Sequence, residues 1–193
     1  MRPSKLHDAI PLSLPAGLSD PNALSLEADD LVLRAFDDSG PGLRRYVRSF
    51  GLGPDATEDV VQEVFLSLFR HVRLGRPHTH LKGWLFRVAH NLALKHRQQR
   101  VKRQQIEAEL DGALAERLID PGSSPEQELA HDQRIHRLRR VLQALPERDR
   151  QCVYLRAEGL SYRDIASTLG VSLGSVAKSL VRAIARLTRV DME

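Results

Sequence analysis

The stretch from Ser161 to Leu187, SYRDIASTLGVSLGSVAKSLVRAIARL, confines this chain to one local geometry. Ser161 and Asp164 form the S-x-x-D pair that opens a helix. Ile165, Ala166 and Leu169 are spaced for one buried face. Gly170 can take a left-handed turn without a steric penalty. Ser172 can cap a second helix, along which Val176, Leu180, Ile184 and Leu187 repeat at helical spacing. Two helices joined by so tight a corner make a helix-turn-helix. At about 100° per residue, Ser175, Lys178, Arg182, Arg186 and Arg189 fall on the side away from Val176 and Leu180. No acidic residue lies between Ile165 and Val190. Such a face suits the phosphates and base edges of a DNA major groove. A solvated amphipathic helix in an ordinary bundle would carry the same pattern, so the tract alone leaves both readings open.

The rest of the chain is read around that module. Its 193 residues allow one medium domain or two small ones. Leu, Ala, Arg and Glu are abundant and β-branched runs are few, which predicts an all-α protein. The net charge of +4 is modest, but its distribution is uneven. Between Val64 and Ile106 there is no Asp or Glu, while ten Lys and Arg residues occur. From Glu107 to Asp132 eight carboxylates face only Arg117. Two basic modules flanking an acidic connector point to a polyanionic partner. The expected organisation is a mobile extension over residues 1–26, a helical domain over 27–103, a flexible acidic linker over 104–133 and the helix-turn-helix domain over 134–190.

Within the first domain, Ser39-Gly40-Pro41-Gly42 predicts a break between two helical pieces. Pro54-Asp55 predicts a new helix with Asp55 as its cap and Val61, Val64, Phe65, Leu68 and Val72 as its apolar stripe. Asp59, Gln62 and Glu63 lie opposite; by themselves they are either a solvated face or a docking patch. After a loop from Gly75 to His80, a helix runs from about Leu81 to Arg103, with Leu81, Leu85, Val88 and Leu92 predicted to be buried. Trp84, Arg87, Asn91 and Lys95 form another face, equipped to stack on bases and hold phosphates. Trp84 taken by itself reads as a core residue; the adjacent acid-free basic run turns the helix as a whole toward nucleic acid.

Two tracts carry a resemblance. EDVVQEVFLSLFRHV (Glu58 to Val72) with LKGWLFRVAHNLALKHRQQR (Leu81 to Arg100) resembles the second domain of bacterial sigma factors. ALPERDRQCVYLRAEGLSYRDIASTLGVSLGSVAKSLVRAIARL (Ala144 to Leu187) is similar to their fourth domain. The chain has no room for the other sigma domains and so resembles the extracytoplasmic-function (ECF) branch. The resemblance implies binding to core RNA polymerase, promoter recognition and duplex opening. It implies that Asp59, Gln62, Glu63 and Phe65 dock on a coiled coil of the largest polymerase subunit. It assigns Trp84, Arg87, Asn91 and Lys95 to the −10 element, and Ser175, Lys178, Ser179, Arg182 and Arg186 to the −35 element. The acidic connector would thread polymerase channels, and an anti-sigma factor would be a further partner. Many family members carry T-V-K-S-R early in the recognition helix. Here the tract reads Ser175-Val176-Ala177-Lys178-Ser179, which moves the first base one position, about 100° around the helix.

Other classes fit less well. The lone Cys152 sits in an apolar helical run, as a buried structural thiol would, and allows no disulfide within one chain. His71, His78, His80, His90 and His96 cluster in sequence, but no carboxylate lies near them to complete a metal site. No phosphate-cradling glycine loop or nucleophile motif occurs. No catalytic residue, metal, cofactor or small-molecule substrate is therefore assigned, and no enzymatic activity is expected. No secretory signal or membrane span is apparent, so a cytoplasmic location is expected. The alternative function is a stand-alone helix-turn-helix regulator, which would bind duplex DNA without polymerase.

Overall fold

The computed structural model describes residues 21–77, 79–111 and 129–190, with no side-chain description for 21–28, 106–111, 129–135 and 190. Its elements are helices: α1 (Pro21–Arg48), α2 (Pro54–Arg73), α3 (Leu81–Asp111), α4 (Leu129–Ala144), α5 (Glu147–Ala157), α6 (Tyr162–Leu169) and α7 (Leu173–Val190). No strand occurs among the described residues. Helices α1 to α3 pack as one bundle and α4 to α7 as another. The all-α expectation holds.

The predicted break at Ser39–Gly42 does not occur; α1 runs straight through Pro41. A proline inside a helix costs about 3 kcal/mol. Against that, Leu43, Tyr46 and Val47 are fully buried on the turns that follow, and each such side chain contributes roughly 1.5–3 kcal/mol. Continuity therefore wins. Gly42 serves a close approach instead of a turn: a β-carbon there would stand 2.2 Å from Oε2 of Glu158. The helix α2 also starts differently from expectation. Gly53 is the N-cap and Pro54 takes the first helical position, with no side-chain cap, so Asp55 lies within the first turn.

The two bundles pack against each other, with α3 on α6 and α1 on α5. A single buried cluster runs from Leu43, Tyr46 and Phe86 to Cys152, Leu155 and Ile165. Around it, Arg45 pairs with Glu158 at 2.6 Å, Arg97 pairs with Glu147, and Arg150 donates to the Ser49 carbonyl at 3.2 Å. Gly83 lets Asp164 come within 3.1 Å of where its β-carbon would be. The acidic connector does not act as a simple tether at its ends: residues 104–111 continue α3, and α4 begins at Leu129. Residues 112–128 and 1–20, which include most of that linker and of the N-terminal extension, lie outside the described residues.

At the centre of the cluster, Tyr46 Oη and His90 Nδ1 are 2.9 Å apart. Burial above all, with Cys152 and Glu147 adding to it, pushes the Tyr46 phenol far up, so it remains a neutral donor. Burial pulls His90 down; Glu147 opposes the shift and Arg97 reinforces it. The folded chain thus keeps His90 neutral while the unfolded chain takes a proton near pH 6.5. Below that pH the unfolded state binds more protons, so stability present at neutral pH is lost on acidification. The melting temperature should fall between about pH 7.5 and about pH 5.5, and the fall should be smaller in His90→Gln.

Candidate nucleic-acid and polymerase interfaces

The helix-turn-helix forms as its residues dictate. Ser161 Oγ accepts from the Asp164 N–H, and Asp164 returns a bond to the Ser161 N–H, closing the capping box. Gly170 ends α6 in the left-handed region at φ 64°. The chain then bends by 103° into α7, within the range of such motifs. Ser172 Oγ accepts from the Ser175 N–H at 3.2 Å and caps the second helix. Val176, Leu180 and Ala183 bury one face of α7.

The five residues assigned to the −35 element do not share one surface. Lys178 and Arg186 are exposed, and Ser175 is half-buried with its hydroxyl 2.9 Å from that of Ser172. Ser179 is only 1% exposed and faces the core, which removes it from any DNA surface. The motif frame placed it there; the helix turns it inward beside Leu180. Arg182 is pinned to α5: its Nε and Nη2 donate to Asp149 Oδ2 and Oδ1 at 3.1 and 2.7 Å. Nη2 also donates to Ser179 Oγ at 3.2 Å. The Asp149 carboxylate is 2% exposed. The hydrogen bond from Arg182 is the main cause that holds its pKa below the usual carboxylate value. Arg182 thus joins α7 to α5. Sequence reasoning overlooked the apolar part of the outward surface, exposed Leu173 and Val181 with half-buried Ala177 between them. Their i, i+4, i+8 spacing was available as a signal.

On α3, Trp84, Arg87, Asn91 and Lys95 do share a face. Asn91 and Lys95 are exposed. Trp84 is half-buried, with its ring centroid 4.8 Å from that of His71, so it satisfies part of each reading. Arg87 Nη1 donates to Ser167 Oγ of α6 at 3.1 Å, which ties this face to the other bundle. The buried stripe of α3 is Leu85, Phe86, Ala89, His90 and Ala93; of the four predicted positions, Leu81, Val88 and Leu92 are only half-buried. The i, i+3, i+4, i+7 pattern from Phe86 to Ala93 was the better guide.

On α2, Asp59, Gln62 and Glu63 are exposed. Phe65 is 7% exposed and packs on Phe36, with ring centroids 4.9 Å apart. It does not belong to the acidic face. It floors a groove of about 550 Å³ between α1 and α2, which Gln62 and Leu66 also line. Carboxylates beside an apolar slot form a surface suited to a partner helix with apolar and basic residues.

Among the described residues no single helix is long and apolar enough to cross a membrane, and no group of three or more His, Cys, Asp or Glu side chains converges to hold a metal ion. Cys152 is fully buried, and burial raises its thiol.

Comparison with known proteins agrees with this arrangement. Residues 35–103 match the family model for Sigma-70 region 2, and residues 135–187 match that for Sigma-70, region 4. The chain is 40% identical over 129 residues to the ECF RNA polymerase sigma factor SigE of Mycolicibacterium smegmatis, covering 65% of this chain and 48% of that protein. It thus spans about half the length of that relative. It is 30% identical over 153 residues to the RNA polymerase sigma factor CnrH of Cupriavidus metallidurans, covering 77% of this chain and 80% of CnrH. Among solved structures, it resembles the sigma factor RpoE in complex with the anti-sigma factor NepR from Bartonella quintana. That match has a TM-score of 0.59 at 25% identity and covers 84% of this chain and 96% of that one. A stand-alone regulator has no need of a region 2 domain. With both sigma regions in order, and with 30% identity over 131 residues to the ECF RNA polymerase sigma-E factor of Escherichia coli, 68% of which is covered, the chain belongs to the ECF family of RNA polymerase sigma factors.

Proposed function

We infer that this chain directs core RNA polymerase to promoters and assists their opening, supplying recognition and not catalysis. It would act where polymerase and promoter DNA meet, in the cytoplasm. The observation that carries the reading is the pair of sigma regions on two helical bundles, each with a solvent-facing surface of suitable charge. The acidic face of α2, with the groove beside it, docks on polymerase. The α3 face of Trp84, Arg87, Asn91 and Lys95 receives the −10 element. An exposed strand tracks such a cationic groove, and a base taken from the stack can rest against an aromatic ring. The outer face of α7 enters the major groove at −35 through Lys178, flanked by Ser175 and Arg186. The anti-sigma complex of RpoE supports an anti-sigma factor as a further partner.

The closed packing of the bundles has a direct consequence for this mechanism. Arg87 is exposed and bonded to Ser167 of the helix-turn-helix, so separation of α6 from α3 would free its guanidinium for −10 DNA. Polymerase binding would supply the free energy of that separation. Lys178→Ala should weaken promoter binding by the holoenzyme and lower its salt slope by about one unit. Unchanged transcription in that variant removes α7 from the −35 duplex. Asn91→Ala should reduce permanganate reactivity of promoter thymines more than it reduces closed-complex binding; equal reductions remove Asn91 from strand opening.

A further inference from the structure

The outer surface of α7 is not the polar strip that its cations suggest. Leu173 is 50% exposed and Val181 68% exposed; half-buried Ala177 lies between them on the same flank. Spaced four residues apart, the three form a ridge about 12 Å long, roughly the length of three to four base steps. Few donors compete with them on these first turns. Ser179 is enclosed, the Ser175 hydroxyl is engaged by Ser172, and Arg182 is clamped to Asp149. Lys178 offers an unengaged charged group beside the ridge, and exposed Arg186 lies about two turns further along α7.

An apolar ridge needs an apolar counterpart, and its surroundings narrow the choice. Helix α7 carries Lys178, Arg182, Arg186 and Arg189 and no carboxylate. That charge favours a polyanion over an apolar protein surface or a second α7. In the major groove, the C5-methyl of thymine is the apolar group that base edges present. We propose that Leu173, Ala177 and Val181 are specificity-determining residues that read thymine methyls in the −35 duplex, with Lys178 supplying the polar base or phosphate contact. The −35 element of this sigma factor is therefore thymine-rich opposite α7. The inference rests on α7 being the −35 helix.

The test uses holoenzyme assembled from core polymerase and the full chain. Promoters are selected from a pool randomised around −35, and each thymine of the selected duplex is then replaced by deoxyuridine, which removes only the methyl. Thymines should be enriched, and each replacement under the ridge should weaken holoenzyme binding about fourfold, the worth of one buried methyl. Val181→Ser should abolish the penalty at one position while leaving the others. Its side chain is exposed, and an unchanged melting curve confirms the fold. Selection of a fixed −35 sequence whose deoxyuridine form binds as well as the thymine form overturns the methyl inference alone. Equal weakening of thymine and deoxyuridine promoters by Val181→Ser also overturns it, because the ridge then meets protein. Holoenzyme that shows no −35 preference at all overturns the assignment of α7 itself.

Discussion

Asp59→Arg with Glu63→Arg should abolish stable assembly with core polymerase and leave the fold intact. Both side chains are exposed on α2. Substitutions at such positions usually change stability by no more than about 0.5 kcal/mol. Binding is another matter, because the pair would present two positive charges where the partner expects two negative ones. Like charges brought together across an interface cost several kcal/mol, so the affinity should drop by about a hundredfold or more. Co-purification with tagged core polymerase reads the loss, and circular dichroism reads the fold. A charge-reversed chain that still assembles at wild-type affinity would move the docking surface away from α2.

Tyr46→Ala should produce the largest loss of stability of any single change discussed. The ring is fully buried, sits edge-on to Phe50 at 5.4 Å and contacts Phe86 at 5.7 Å. Removing so large an aromatic side chain from a core costs about 3–5 kcal/mol. For a chain of this size that lowers the melting temperature by on the order of 10 °C. Tyr46→Phe separates the two contributions: it keeps the ring but leaves His90 Nδ1 without its partner, at about 1–3 kcal/mol. Because the buried cluster reaches from α1 through α3 to α5 and α6, loss of Tyr46 should be felt in both bundles, and probes placed in each should melt together. A Tyr46→Ala protein that melts within a degree of wild type would show that this cluster does not hold the closed form.

What the sequence disclosed was mostly local. The capping box at Ser161, the left-handed Gly170 and the Ser172 cap each depend on residues within a turn of one another, and all three are where the spacing placed them. Long-range packing was harder to read. Gly40, Pro41 and Gly42 look like a break until Glu158, over a hundred residues away, is seen to occupy the space beside Gly42. Arg182 looks like a DNA reader until Asp149 claims its guanidinium. Ser179 followed a motif frame, and its helical phase turns it into the core. Phe65 was correctly placed on the apolar stripe of α2; it shares a groove with Gln62, while Asp59 and Glu63 face solvent beside it. The packing of the bundles against each other had no local signature at all. It depends on a buried cluster that joins Tyr46 and Phe86 to Leu155 and Ile165, edged by pairs such as Arg45 with Glu158, whose members are too far apart in sequence for any periodicity to link them.

Run-off transcription with purified core polymerase, with and without this chain, on a library of promoter-length DNA is the most direct test. Initiation from a defined subset of templates only when both proteins are present is the predicted result. Failure to associate with core polymerase, together with tight sequence-specific binding of duplex DNA by the isolated chain, would contradict it.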